Sequence, residues 1–199
     1  METTKFPQIC KSKKIKKGST MRIKLYLDMD GVIADFDKAY NAIETTSADS
    51  RKFRKAVMEY SIFNDLDFMP DAEQLLNHVK TLKDIEIEIL TSMGTFDPFV
   101  GQEVRRQKKQ WLKERDINYK PNFVRTKSEK AKYALNPTIA ETSVGKFLPN
   151  ILIDDSAGCV DPFNRAGGRA ILHRSAAETI TLLDATISEV KTLNGFKYS

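Results

Sequence analysis

The chain reads as an α/β protein: a Rossmann-like parallel sheet with helices on both faces and a small helical cap inserted after the first strand. Three observations predict this. Short apolar runs alternate with longer stretches of helical periodicity, the pattern of a parallel sheet covered on both sides. Two of these runs end in paired acids, Asp28-Met-Asp30-Gly31 after Ile23–Leu27 and Asp154-Asp155 after Ile151-Leu-Ile153. Open α/β sheets bind ligands beyond the carboxyl ends of their strands, where acids are costly unless they hold a metal or do chemistry. Finally, the segment 35–70 is too long for a simple crossover, so it is expected to stand over the strand ends as the cap.

The elements follow in order. Residues 22–28 alternate as a strand. Phe36, Ala39, Tyr40 and Ile43 have helical spacing, as do Phe53, Ala56, Val57 and Tyr60. Pro70-Asp71 starts a helix with Ala72, Leu75, Leu76, Val79 and Leu82 on one face. Ile85, Ile87 and Ile89 alternate with Glu86 and Glu88 into Leu90-Thr91-Ser92, a second strand. A basic helix is expected over 99–115, burying Val104, Trp111 and Leu112, with Arg105, Arg106, Lys108 and Lys109 on a solvated face. Asn122–Arg125 is a third strand, followed by a helix from about Ser128. Residues 135–150 contain Pro137, Gly145 and Pro149 and read as a connection. Strands at 151–153 and 169–172 follow. A last helix carries Ile180, Leu183, Ile187 and Val190 on one face.

The chain has 199 residues, enough for one domain with a modest insertion. Its 41% apolar and 30% charged residues are ordinary for a globular protein. No run approaches the roughly 20 apolar residues that span a membrane, and the N-terminus lacks the apolar stretch of a secretory signal. Two cysteines, Cys10 and Cys159, make no disulfide framework. A cytoplasmic setting is expected, in the host if a phage encodes the chain. The net charge of +5 belongs to the tail. Residues 1–20 carry six lysines against one glutamate, so residues 21–199 are formally neutral. The tail is expected to be a disordered, solvated extension, with a nucleic-acid arm as the rival reading. Met21, directly before the first strand, is a second candidate start.

The chemistry follows from the acids. A strand-tip aspartate can attack phosphorus and form an aspartyl-phosphate. Asp28, Asp30, Asp154 and Asp155 would repel one another, and a hard divalent cation resolves this. Magnesium suits a few carboxylates plus phosphate oxygen and water. Asp30 is then placed to protonate the leaving oxygen and later to activate water. Thr91 and Ser92 can donate to the phosphate, and Lys130, at the start of a helix, can supply positive charge. Lys127 and Lys132 are rivals for that last role. Phe36 fits either packing on the cap helix or stacking on a base.

These motifs resemble the haloacid dehalogenase superfamily of aspartate-nucleophile phosphatases. The first signature matches as Asp28-Met-Asp30-Gly31-Val32, the second as Leu90-Thr91-Ser92 and the fourth as Ile151-Leu-Ile-Asp154-Asp155. The order and spread of the motifs cover about 21–185. Within the superfamily, Leu27-Asp-Met-Asp-Gly-Val-Ile-Ala-Asp-Phe36 is similar to the 5′(3′)-deoxyribonucleotidase branch, including small phage and bacterial members. The resemblance implies that Asp28 is nucleophile and metal ligand, and that Asp30 is acid and base and binds Mg2+ through its carbonyl. It implies that Thr91 and Lys130 hold the phosphate, with Asp154 and Asp155 completing the metal site. Phe36 matches the position whose ring packs on the base. Met93-Gly94 departs from the branch, which often has proline after the second signature, and the stretch around Tyr60, Phe63 and Phe68 does not reproduce its tryptophan-rich base pocket. A deoxyribonucleoside monophosphate is the expected substrate. Alternatives are a phosphosugar, a nucleic-acid 3′ end, or a nucleic-acid-binding module with little catalysis. A homodimer is implied by analogy alone.

Overall fold

In the computed structural model, β1 (Ile23–Leu27) lies at the centre of a five-stranded sheet because the chain first builds to one side of it and then to the other. The structure describes residues 23–44, 49–136 and 148–193. The lysine-rich residues 1–20, with Cys10 and Met21, lie outside them. After β1 come α1 (Phe36–Asn41), α2 (Asp49–Met58) and α3 (Ala72–Thr81), then β2 (Ile85–Ser92), α4 (Pro98–Glu114) and β3 (Lys120–Val124). A 3-10 helix (Lys127–Tyr133) and the short strands β4 (Leu135–Asn136) and β5 (Leu148–Pro149) lead to β6 (Ile151–Asp154). The chain then forms α5 (Ala157–Arg165), β7 (Arg169–Leu172) and α6 (Ala176–Leu193).

The sheet order is β3-β2-β1-β6-β7, and every pairing is parallel. The chain therefore reverses direction between β1 and β6, which opens a crevice at their carboxyl ends. Alternation along the strands divides the core. Leu25, Leu27, Ile89, Ile151 and Ile153 face the larger apolar cluster, while Tyr26, Leu90 and Leu152 face a smaller one with Cys159 and Phe163. All four residues of β6 are buried, as a strand covered on both faces requires.

The insertion after β1 is pinched at its base. Ala34 bridges Phe68, Asp35 N donates to Asp67 O (2.9 Å) and Met69 N donates to Ile33 O (3.1 Å). Its apolar residues Ala56, Val57, Ile62, Phe63 and Leu66 join the main core cluster. α4 fastens it there. Gln107 Nε2 donates to Val57 O (2.8 Å), Gln107 Oε1 accepts from Phe63 N (3.2 Å), and Trp111 Nε1 donates to Leu66 O (2.8 Å).

Two elements differ from the sequence expectation. The helix expected from Ser128 is a 3-10 helix, because it is held at both ends. Arg125 N donates to Glu129 Oε2 (2.8 Å), and Asn150 Nδ2 takes the carbonyl of Tyr133 (2.7 Å). Within the expected connection 135–150, β4 and β5 pair antiparallel; residues 137–147, with Pro137 and Gly145, lie outside the described residues.

Candidate active site

β1 and β6 deliver their acids to one point. Asp28 N donates to Ile153 O (2.9 Å), extending the β1–β6 ladder by one residue and fixing Asp28 beside the end of β6. One carboxylate oxygen each from Asp28, Asp154 and Asp155 lies within 4.8 Å of the others. Gly31 makes this approach possible. Its φ is +74°, where a side chain is strained, and a Cβ there would collide with the Asp155 carboxylate.

Two buried lysines balance the acids. Lys130 Nζ lies 2.7 Å from Asp28 Oδ2 and 2.7 Å from Asp154 Oδ2. Lys108 Nζ lies 2.5 Å from Asp30 Oδ2, and donates to Thr91 Oγ1 (2.7 Å) and to Ser92 O (3.0 Å). Neither ammonium is exposed. Burial alone would lower the pKa of Lys130, but Asp28 and Asp154 raise it, so it stays charged. Burial raises Asp154 to about 7, reinforced by the negative charge of Asp28 and opposed by Lys130. Burial likewise raises Asp30, against the pull of Lys108, and raises Asp155. Four carboxylates against two ammoniums leave a formal charge of −2 at this cluster, which a divalent cation would neutralise. All-oxygen donors suit a hard ion such as Mg2+.

A cavity of about 230 Å³ opens onto this cluster. Asp28, Asp30, Ser92, Lys130 and Asp155 line one side, and Phe36, Phe53 and Phe63 form an aromatic wall. Phe36 stacks on Tyr40 (5.1 Å between centroids) and on Phe63 (5.2 Å), so it packs within the insertion while facing the cavity. Asp30 Oδ1 is buried and has no hydrogen-bond partner among the described residues.

The structure separates the rival lysines. Lys130 is the buried one; Lys127 lines the cavity rim and donates to Ser156 Oγ (3.1 Å), while Lys132 is exposed and pairs with Glu129. Thr91 is fully buried beneath the cavity, its hydroxyl accepting from Lys108. Ser92 Oγ donates to Arg125 O (3.3 Å) and accepts from Gly94 N (3.1 Å). His173 is buried with its ring against Thr179, and Cys159 is buried with its thiol pushed up to about 12, which leaves no thiolate at neutral pH. Lys108 corrects the expectation of a wholly solvated basic face on α4. The signal was in the spacing: Lys108 is four residues after Val104 and three before Trp111, on the buried stripe.

The fold and site together define an α/β domain with an acidic, cation-ready pocket at the switch point of a parallel sheet. No protein-family model and no curated protein matches the chain. Among solved structures it is similar to a hydrolase from Streptococcus pneumoniae TIGR4, at 12% identity and a TM-score of 0.49, over 82% of this chain and 98% of that one. It is also similar to L-2-haloacid dehalogenase from Xanthobacter autotrophicus, at 16% identity and a TM-score of 0.42, over 87% and 88%. At this level of likeness, the residues of the site decide what chemistry it can do. No described helix is long and apolar enough to cross a membrane.

Proposed function

We propose that the chain is a magnesium-dependent phosphomonoesterase that works through an aspartyl-phosphate, with a deoxyribonucleoside monophosphate as substrate. One observation carries this reading: Asp28, tied to Lys130, shares a cavity with an Asp30 whose Oδ1 has no hydrogen-bond partner among the described residues.

Asp28, Asp154 and Asp155 would hold Mg2+, which when bound supplies positive charge to the phosphoryl oxygens. Asp28 attacks phosphorus through a carboxylate oxygen, and the bond from phosphorus to the ester oxygen breaks. Asp30 supports the proton transfer. Burial raises its pKa against the pull of Lys108, and Oδ1, which meets no hydrogen-bond partner among the described residues, would carry the proton passed to the departing alkoxide. Lys108, at 2.5 Å, then stabilises the carboxylate that remains. In the second half, Asp30 takes a proton from water, the water oxygen bonds to phosphorus, and the Asp28 carboxylate is released with inorganic phosphate. Lys130, 2.7 Å from Asp28 Oδ2, holds the Asp28 carboxylate in place throughout. Ser92 stands on the cavity wall as a donor to the phosphate; Thr91 acts from beneath by fixing Lys108. The aromatic wall, including Phe36, suits a nucleobase.

The test is phosphate release from nucleoside monophosphates and phosphosugars, with and without Mg2+. Release that needs Mg2+, favours deoxynucleotides and disappears in Asp28→Asn supports the reading. No release from any phosphomonoester by the folded wild type overturns it.

A further inference from the structure

A second cavity, of about 700 Å³, adjoins the acidic one and is unused by the chemistry above. It lies between the Met93–Asp97 loop, α4 and Arg125 at the end of β3, and Met93 lines both cavities. Its charge is one-sided. The nearby acids are engaged: Glu103 pairs with Arg106 (2.6 Å), Asp97 pairs with Arg54 (2.7 Å) and caps α4, and Glu129, which accepts from Arg125 N (2.8 Å), pairs with Lys132 (3.0 Å). Arg105, Lys109 and Arg125 are exposed, and none of them forms an ion pair among the described residues. Arg105 and Lys109 both lie over the ring of Phe123, at 6.0 and 5.8 Å, which holds their charges side by side. Phe96 lines the same groove and is 74% exposed; Phe99, three residues on at the start of α4, is 73% exposed.

Rings and arginines are also enriched in protein interfaces, but lysine is depleted there, and a protein partner would have to supply acids to Arg105, Lys109 and Arg125 together. Cations along a groove with accessible rings are instead the arrangement that holds single-stranded nucleic acid, phosphates on the cations and bases on the rings. Met93, common to both linings, sets the groove beside the acidic pocket, so one end of a bound strand lies next to it. We propose that the groove binds a single-stranded nucleic acid whose terminal phosphomonoester lies at Asp28, so that the terminal nucleotide of a strand enters the same pocket as a free deoxynucleotide and is preferred to it. This rests on the phosphatase reading for its chemistry, and the bond broken is the same one. The grip on the strand does not depend on it.

The experiment uses the full chain and two readouts. The first is fluorescence anisotropy with labelled single-stranded DNA and RNA oligonucleotides that lack a terminal phosphate, which reports the groove even if no phosphatase activity exists. Three phosphate contacts predict a slope of log affinity against log salt of about −2, shrinking by about 0.7 for each of Arg105→Ala, Lys109→Ala and Arg125→Ala. Phe96→Ala should weaken binding roughly fivefold or more. The second readout is the ratio of kcat/KM for a terminally phosphorylated oligonucleotide to that for the matching mononucleotide, expected at roughly tenfold or more and collapsing in the triple cation variant. Binding of either DNA or RNA with this salt slope supports the proposal. Salt-independent or absent binding overturns it, as does equal displacement by polyglutamate, which would make the groove a general anion surface. Phosphatase activity with a ratio near one in both proteins overturns the groove while leaving the phosphatase intact.

Discussion

The ammonium of Lys108 lies 2.5 Å from Asp30, 78 residues away in the chain, and is fully buried while doing so. Helix α4 thus reaches under the acidic pocket and contributes the one cation, among the described residues, that pairs with the proposed acid–base group. Lys108→Met should therefore lower kcat by roughly a hundredfold or more, within the range for general acid–base catalysis. KM should move much less, because Lys108 is absent from the cavity wall. Without the ammonium, Asp30 protonates more readily, so the limb of the pH–rate profile set by Asp30 should move to higher pH. Steady-state kinetics across pH check both expectations.

The acid cluster sets a pH-dependent stability. Asp30, Asp154 and Asp155 all have raised pKa values, with Asp154 at about 7 against an ordinary 3.8. Between those values the native state binds more protons than the unfolded chain, so stability falls as pH rises through that window. Mg2+ bound to the ionised acids would oppose the loss. The gap in Tm between protein with Mg2+ and protein with chelator should widen from about pH 5 to about pH 8. For a chain of this size, each 1 kcal/mol of stabilisation appears as about 2–4 °C. Asp155→Asn should shrink the gap sharply and raise the Tm of the metal-free protein at pH 8.

Gly31→Ala combines two penalties, a residue held at φ +74° and a Cβ driven into Asp155. The strained backbone alone costs about 1–3 kcal/mol. Urea unfolding should show at least that loss. Turnover should fall with it, since Asp155 must move away from Asp28 and Asp154.

Gln107 ties the insertion to α4 through two backbone groups, Val57 O and Phe63 N. Gln107→Leu keeps the volume and leaves both groups unpaired, at about 1–3 kcal/mol each. Because Phe63 belongs to the cavity wall, KM should rise along with the loss in stability. Denaturant midpoints and KM measured on one preparation check the coupling.

The periodicities of β1, β2 and α4 were legible in the sequence because strand alternation and helical spacing are local properties. The acid pairs were legible because each follows an apolar strand directly, and parallel-sheet topology then brings strand ends together. Lys108 was harder to read. Its neighbours Arg105, Arg106 and Lys109 are exposed, and charge composition hides a single inward-facing lysine among them. Only its place on the Val104–Trp111 stripe marks it. The 3-10 form of 127–133 was not legible, since it depends on Asn150, a partner distant in sequence. The groove beside Met93 was equally out of reach. It joins a loop after β2, the outer face of α4 and the end of β3, and charge summed along the chain averages to zero over this body.

On the proposed mechanism Asp28 becomes phosphorylated during turnover. Acid-quenching the Mg2+-loaded enzyme during hydrolysis of a deoxyribonucleotide, followed by peptide mass spectrometry, tests it most directly. One phosphoryl group is expected on the peptide containing Asp28 in the wild type and none in Asp28→Asn, which should also lack turnover. Phosphate release that persists in Asp28→Asn, or a phosphoryl group on another residue in its place, would contradict it.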